Sequence, residues 1–167
     1  AILDIYDKSD IEINIKDDKS PLTQADIASH NIIVKSLSQL TPKIPILSEE
    51  SSQIDFSVRS KWSNYWLIDP LDGTKEFLKK NGEFTVNIAL IENNTPVLGV
   101  IFVPVRNQYF WGSKEFGSFY SSDGNSAKKL KVSEGSWNSL RIVTSRSHIN
   151  CLLYTSDAAD EGLGVDL

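Results

Sequence analysis

Apolar and polar positions in the first forty residues follow two different periods. Ile2 to Lys8 has the composition of the last turns of a helix, and Ile11 to Ile15 alternates apolar and polar residues as a half-buried strand does. Thr23 has the character of a helix N-cap with Asp26 three residues later, and apolar residues at helical spacing continue from there to about Leu40. The pattern therefore predicts a helix end, a strand and a long helix.

The sequence of the middle of the chain predicts short strands and a short helix on either side of the turn at Pro70. A short apolar strand over Ile44 to Leu47 is followed by a polar surface excursion over Gln53 to Lys61. A buried strand, Trp66 to Asp69, is stopped by Pro70, and Lys75 to Lys80 has the composition of a short helix.

From Phe84 onward the apolar period is two. Phe84, Val86, Ile88 and Leu90 alternate with more polar residues, and Asn93-Asn94 forms a turn. Because turn residues separate the apolar runs that follow, we predict an antiparallel sheet with helices packed on it, an α+β class. The later strands of this meander are predicted at Val97 to Val103, Gln108 to Gly112 and Ser118 to Ser121.

The composition and net charge of the chain limit the kinds of molecule that it is expected to bind. The 167 residues are 40% hydrophobic and 23% charged, as in ordinary globular proteins. With 17 basic and 22 acidic residues the net charge is −5, which argues against holding a nucleic acid polymer by bulk charge. The single cysteine, Cys151, allows no internal disulfide. Neither a membrane-spanning apolar run nor a signal peptide is indicated.

Carboxylates gather where predicted strands end and helices begin. Asp69 and Asp72 share one turn, Glu49 and Glu50 follow a short strand, and Asp26 lies at a helix start. Two like charges on a tight turn repel each other, and a divalent cation removes that cost. Asp69, Asp72, the Leu71 carbonyl and one Glu could supply oxygen ligands for magnesium, and the Gly73 and Thr74 amides could hold a phosphate.

Each of these features also has a structural explanation. The turn at Asp69 could be an ordinary solvated loop, and Asp26 could be only the third residue of a capping box. Glu49-Glu50 could be a pair of surface acids, and Thr74 could be a plain N-cap. We expect Trp62, Tyr65 and Trp66 to pack in the core. Motifs for zinc, for a calcium loop and for a nucleotide-binding glycine loop do not occur in the sequence.

The order of these strings is typical of one family. Leu47-Ser48-Glu49-Glu50, followed by Trp66 to Thr74 (WLIDPLDGT), resembles the magnesium-dependent, lithium-sensitive phosphatases of the inositol monophosphatase superfamily. Ser20 to Asp26 (SPLTQAD) and the continuation Lys75-Glu76-Phe77 to Leu90 resemble the bacterial 3′(2′),5′-bisphosphate nucleotidase branch. The resemblance covers roughly residues 1 to 150 and implies the N-terminal half of a layered αβαβα fold.

The resemblance implies a set of roles. Glu49, Asp69, the Leu71 carbonyl and Asp72 would bind Mg²⁺, and Asp26, Thr74 and Glu49 would serve the catalytic step. Substrate would contact Glu49, Leu71, Asp72, Gly73 and Thr74. The implied reaction removes the 3′-phosphate from adenosine 3′,5′-bisphosphate, a small nucleotide linked to sulfur assimilation. The implied location is the cytoplasm, with attachment to the inner membrane face as an alternative, and the oligomeric state is left open.

The sequence departs from the family pattern after residue 140. We predict a phosphatase domain over 1–140, the start of a truncated second α/β domain over 141–150, and a non-native read-through tail over 151–167. Sequencing the parent DNA past the Asn150 codon would test the tail. A Trp-Asp-x-Ala motif is missing, so we expect a fragment. The alternatives are an inositol or sugar phosphatase, a non-catalytic metal-binding fragment, and an unstable product without function.

Overall fold

The computed structural model describes residues 1–8, 11, 13–16, 21–51 and 53–132. The chain divides into two compact units, Ala1–Lys131 and Val132–Leu167. The predicted second domain at 141–150 and the predicted tail at 151–167 lie outside the described residues and stay predictions.

The first unit contains four helices, one 3₁₀ turn and nine strands among its described residues. The helices are α1 (Ile2–Tyr6), α2 (Gln24–Leu40), α3 (Phe56–Arg59) and α4 (Thr74–Leu78), and the 3₁₀ turn is Pro104–Arg106. The strands are β1 (Ile13–Ile15), β2 (Pro21–Thr23), β3 (Ile46–Ser48), β4 (Asn64–Asp72), β5 (Thr85–Glu92), β6 (Thr95–Val103), β7 (Gln108–Ser113), β8 (Gly117–Ser121) and β9 (Lys128–Lys129).

A seven-stranded sheet runs in the chain order β3 to β9. From β4 onward each strand pairs antiparallel with the next, but β3 pairs parallel with β4. The antiparallel meander predicted from Phe84 onward and the α+β class are confirmed, and the parallel strand β3 makes the sheet as a whole mixed. The physical reason is the connection: α3 and its flanking loops carry the chain back across the sheet, whereas short turns join the later strands.

Helix α2 begins where its sequence predicts. The Thr23 hydroxyl oxygen accepts the Ala25 N–H, and the Asp26 carboxylate accepts the Thr23 N–H, so a capping box starts the helix. The far end of α2 packs on the sheet, where Leu37 lies against Trp66 and Ile68. Trp66 is buried, as predicted, and its Nε1–H donates to the Thr41 hydroxyl.

A second core cluster fixes α4. The rings of Phe77 and Phe84 lie edge to face at 5.2 Å, and the Tyr6 ring lies 5.2 Å from Phe77 and 5.1 Å from Phe84. Phe77 and Phe84 are fully buried, so burial of apolar area anchors this short helix against α1 and the sheet.

Several predicted boundaries shift. Strand β4 runs through Pro70 to Asp72 with a register irregularity between Asp69 and Asp72, because proline lacks the N–H that a regular ladder needs. Helix α4 begins at Thr74 and ends at Leu78 instead of spanning Lys75 to Lys80, and the excursion over 53–61 contains α3. None of the helices in the described part of the chain is long and apolar enough to cross a membrane.

Candidate active site

The irregular end of β4 forms the centre of the site. The Asp69 carboxylate accepts the Leu71 N–H at 3.2 Å, which turns the backbone there. Gly73 follows with φ +96°, and a Cβ at this position would lie 3.0 Å from the Glu83 carbonyl oxygen. Glycine is therefore required for the tight passage from Asp72 into α4.

Parallel pairing brings Glu49 to the same edge of the sheet. Glu49 directly follows β3, and its N–H donates to the Ile68 carbonyl at 3.0 Å. Because the carboxyl ends of parallel strands meet at one edge, Glu49 lies beside Asp69, close enough for a side-chain hydrogen bond between the two. The structure thus brings together these two predicted metal ligands.

Asp26 and Thr74 meet although 48 residues separate them. The Thr74 hydroxyl lies 3.2 Å from Asp26 Oδ1 and 3.3 Å from the Leu71 carbonyl oxygen. Asp26 Oδ2 accepts the Thr23 N–H and hydroxyl at 2.8 and 2.6 Å, and the residue is almost fully buried. Asp26 is therefore both a capping-box residue and the hydrogen-bond partner of Thr74. The capping interpretation and the site interpretation of Asp26 are compatible.

Acidic side chains lie close together around Asp69. Burial, followed by the charges of Glu49 and Asp72, raises the pKa of the Asp69 carboxyl to about 7. The single Leu71 N–H acts in the opposite direction and does not offset them. A cation placed between these carboxylates would reverse the balance.

Two contacting residues, Lys16 and Asn87, were not among the predicted site residues. The Lys16 ammonium lies 2.8 Å from Glu49 Oε1 and 2.6 Å from Glu50 Oε1, and Asn87 donates to Asp72 Oδ2 at 3.0 Å. Lys16 directly follows a predicted strand, and Asn87 is paired with Asp69 across β4 and β5. The alternating pattern of β5 could have indicated Asn87, whereas no local signal indicates Lys16.

The donor set suits magnesium in its chemistry. Glu49, Asp69, Asp72 and the Leu71 carbonyl offer only oxygen, which Mg²⁺ prefers. Within the described ranges no group of three or more His, Cys, Asp or Glu side chains is arranged to hold a metal ion directly. In proteins Mg²⁺ usually keeps several waters and binds carboxylates together with substrate phosphate.

A concavity of about 670 Å³ adjoins these acids. Glu49, Asp69 and Asn87 line one part of it, and the sheet face contributes Leu67 and Ile101, which are 42% and 46% exposed. The space is large enough for a small organic molecule and lies next to the oxygen donors.

Comparisons with known proteins agree with this geometry. Residues 1–160 match the sequence profile of the Inositol monophosphatase family. The chain is 46% identical over 149 residues to the 3′(2′),5′-bisphosphate nucleotidase CysQ of Salmonella typhimurium (strain LT2), covering 89% of this chain and 58% of that protein. Identity to the CysQ nucleotidase of Escherichia coli (strain K12) is 44% over 154 residues, with 92% and 61% covered.

A solved structure gives the same result for the fold. The crystal structure of CysQ from Bacteroides thetaiotaomicron, described as a bacterial member of the inositol monophosphatase family, aligns with a TM-score of 0.74 and 38% identity. The alignment covers 95% of this chain and 62% of that one. The chain therefore spans about three fifths of the length of these relatives.

Proposed function

This chain belongs to the inositol monophosphatase family, and we propose that it carries the metal- and phosphate-binding part of a magnesium-dependent 3′(2′),5′-bisphosphate nucleotidase. The substrate we propose is adenosine 3′,5′-bisphosphate, in line with the names of relatives that are 44% to 46% identical. The observation that carries the proposal is the hydrogen-bonded set Asp26, Thr74 and Leu71 beside the adjacent acids Glu49 and Asp69.

The proposed cation is held by Glu49, Asp69, the Leu71 carbonyl and Asp72. When bound, magnesium would neutralise phosphate oxygens and lower the pKa of a coordinated water. The Asn87 amide fixes one oxygen of Asp72, and the Leu71 N–H fixes one oxygen of Asp69, so both carboxylates are oriented in advance. These ligand roles stay predictions.

We assign the transfer of a proton from the attacking water to Thr74 and Asp26. Thr74 donates its hydroxyl proton to Asp26 or to the Leu71 carbonyl, so its oxygen can accept a hydrogen bond from water. Burial of Asp26 keeps this acceptor in one position. Water oxygen would bond to phosphorus as the bond from phosphorus to the 3′-oxygen breaks, giving AMP and inorganic phosphate. The Gly73 and Thr74 amides would contact the phosphate.

Phosphate release from adenosine 3′,5′-bisphosphate tests the proposal. We expect release in magnesium, none in EDTA, and a loss of at least about a hundredfold in Asp69→Asn. Glu92→Gln is the matched control, because Glu92 pairs with Asn64 at the opposite end of the β4–β5 pair. Equal turnover by Asp69→Asn and the control would contradict the metal assignment.

Two further outcomes distinguish the alternatives. Faster release from inositol 1-phosphate than from the bisphosphate would identify an inositol phosphatase of the same family. Magnesium binding by calorimetry without turnover of any phosphate ester would favour a non-catalytic metal-binding role for this chain.

A further inference from the structure

Lys16 connects the small hairpin of β1 and β2 to the acidic edge of the sheet. Its Nζ lies 2.8 Å from Glu49 and 2.6 Å from Glu50. The three side chains differ in exposure: 21% for Lys16, 49% for Glu49 and 5% for Glu50. The ammonium is therefore anchored on a buried carboxylate and extends to an exposed one.

Lys16 contacts a carboxylate, Glu49, that is also a proposed ligand of the metal. Magnesium binds carboxylate oxygen at about 2.0–2.1 Å. An ammonium group at hydrogen-bond distance from the same carboxylate would repel the ion strongly, since both are cations. Glu50, by contrast, is buried and is not among the predicted ligands, so it can keep its lysine.

We propose that Lys16 is a resident counter-cation of this site: it occupies Glu49 until magnesium arrives, then releases Glu49 and stays paired with Glu50. The inference rests on the proposed function, because it concerns the same metal. Lys16 is a positioning residue here, and its effect is to set how tightly the ion binds.

The hairpin also connects Lys16 to the start of α2. Strand β1 ends at Ile15, directly before Lys16, and pairs with β2, whose last residue Thr23 caps α2 and holds Asp26. The strand pair that ends at Lys16 therefore also ends at the residue that contacts Asp26, the partner of Thr74.

Titration calorimetry with magnesium chloride on four proteins tests the proposal. These are the wild type, Lys16→Met, Lys16→Arg and Lys43→Met. Lys43 precedes β3, at the end opposite to Glu49, so its removal changes the net charge equally without touching the site. We expect Lys16→Met to bind magnesium roughly three- to tenfold more tightly than the wild type, because the competing cation is gone.

The two other variants are expected to differ from the wild type by less than about twofold. Lys16→Arg keeps the charge on Glu49 and Glu50, and Lys43→Met alters only a distant charge. In EDTA, Lys16→Met should melt about 2 to 4 °C below Lys43→Met, because the acids have lost their counter-cation. This second readout needs no metal and no activity.

The outcomes separate the two proposals. Unchanged or weaker magnesium binding in Lys16→Met, or equal tightening in Lys43→Met, would overturn the counter-cation role while the metal site stands. Absence of binding in all four folded proteins would overturn the metal site itself and, with it, the exchange at Glu49.

Discussion

Two segments of this chain, at the ends of β4 and β8, each hold an aspartate whose pKa is shifted, and the directions are opposite. Asp123, after β8, accepts the Asn125 and Ser126 N–H groups at 2.8 and 3.0 Å and the Ser121 hydroxyl at 2.9 Å. These hydrogen bonds lower the pKa of Asp123 to about 2. Burial and neighbouring acids raise that of Asp69 to about 7.

The difference shows how a structural carboxylate differs from one kept for a ligand. The turn around Asp123 supplies its own donors, so the charge stabilises the turn and needs nothing else. The end of β4 supplies one N–H to Asp69, and the acids Asp72 and Glu49 lie nearby, so the charge is held at a cost. A cation bound between these acids would remove that cost, which is the property expected of a metal site.

Substituting one glycine in each segment should give the largest difference in the free energy of unfolding between the two segments. We expect Gly73→Ala to lower the free energy of unfolding by about 2 to 4 kcal/mol, because its Cβ would meet backbone and its φ is +96°. Gly124→Ala should cost less, about 1 to 2 kcal/mol: its φ of +76° is also left-handed, but its Cβ would meet only the edge of the Tyr109 ring, at 3.3 Å, and no backbone. Urea denaturation measures both, and equal losses would show that the β4 segment is no more constrained.

Removing the charge of Asp69 should have the next largest effect. Its raised pKa means that the folded chain holds the proton more tightly than the unfolded chain does between about pH 4 and 7. Stability in EDTA should therefore fall as pH rises through that window and level off above it. We expect Asp69→Asn to remove this slope and to be more stable than wild type at pH 8 by about 1 to 2 kcal/mol, allowing for solvent screening.

Urea unfolding in EDTA at several pH values checks the Asp69 prediction. Glu92→Gln is the control, and it should keep the wild-type slope. A variant Asp69→Asn with the same pH dependence as the wild type would show that the acids at this edge do not repel one another, and the contrast with Asp123 would be lost.

The smallest effect on stability is expected for a substitution at Asp123, and its pH dependence should be opposite to that at Asp69. Because its pKa in the folded state is depressed, its stabilising contribution is present above pH 4 and is lost as pH falls through about 2. Asp123→Asn should be less stable than wild type at pH 7, and the difference should shrink on acidification. A difference that persisted to pH 2 would argue against the charged hydrogen bonds as its cause.

Some of the site could be predicted from sequence because the contacts are local. The capping box at Thr23 and Asp26 involves residues three apart, and the turn from Asp69 to Thr74 depends on proline and glycine within six residues. The alternation in β5 follows from the two-residue period of a strand. Both core-packing of Trp66 and the start of α2 were predicted for these reasons and are confirmed.

The remaining contacts depend on topology. A parallel pairing of β3 with β4 sets Glu49 beside Asp69, and short apolar segments carry no signal that distinguishes parallel from antiparallel pairing. Lys16 reaches Glu49 and Glu50 across more than thirty residues, through a hairpin of three-residue strands. No periodicity in the sequence encodes such a distance.

The local chemistry of this protein follows from its sequence: the acids themselves, the turn that presents Asp69 and Asp72, and the helix that begins after Thr23 with Asp26 in its first turn. The tertiary structure alone decided which of them meet. It placed Thr74 on Asp26, Glu49 beside Asp69, and Lys16 on two glutamates. The physical reason is that backbone conformation responds to near neighbours, whereas the electrostatics of a site depend on side chains that only the packed sheet and helices bring within a few ångströms.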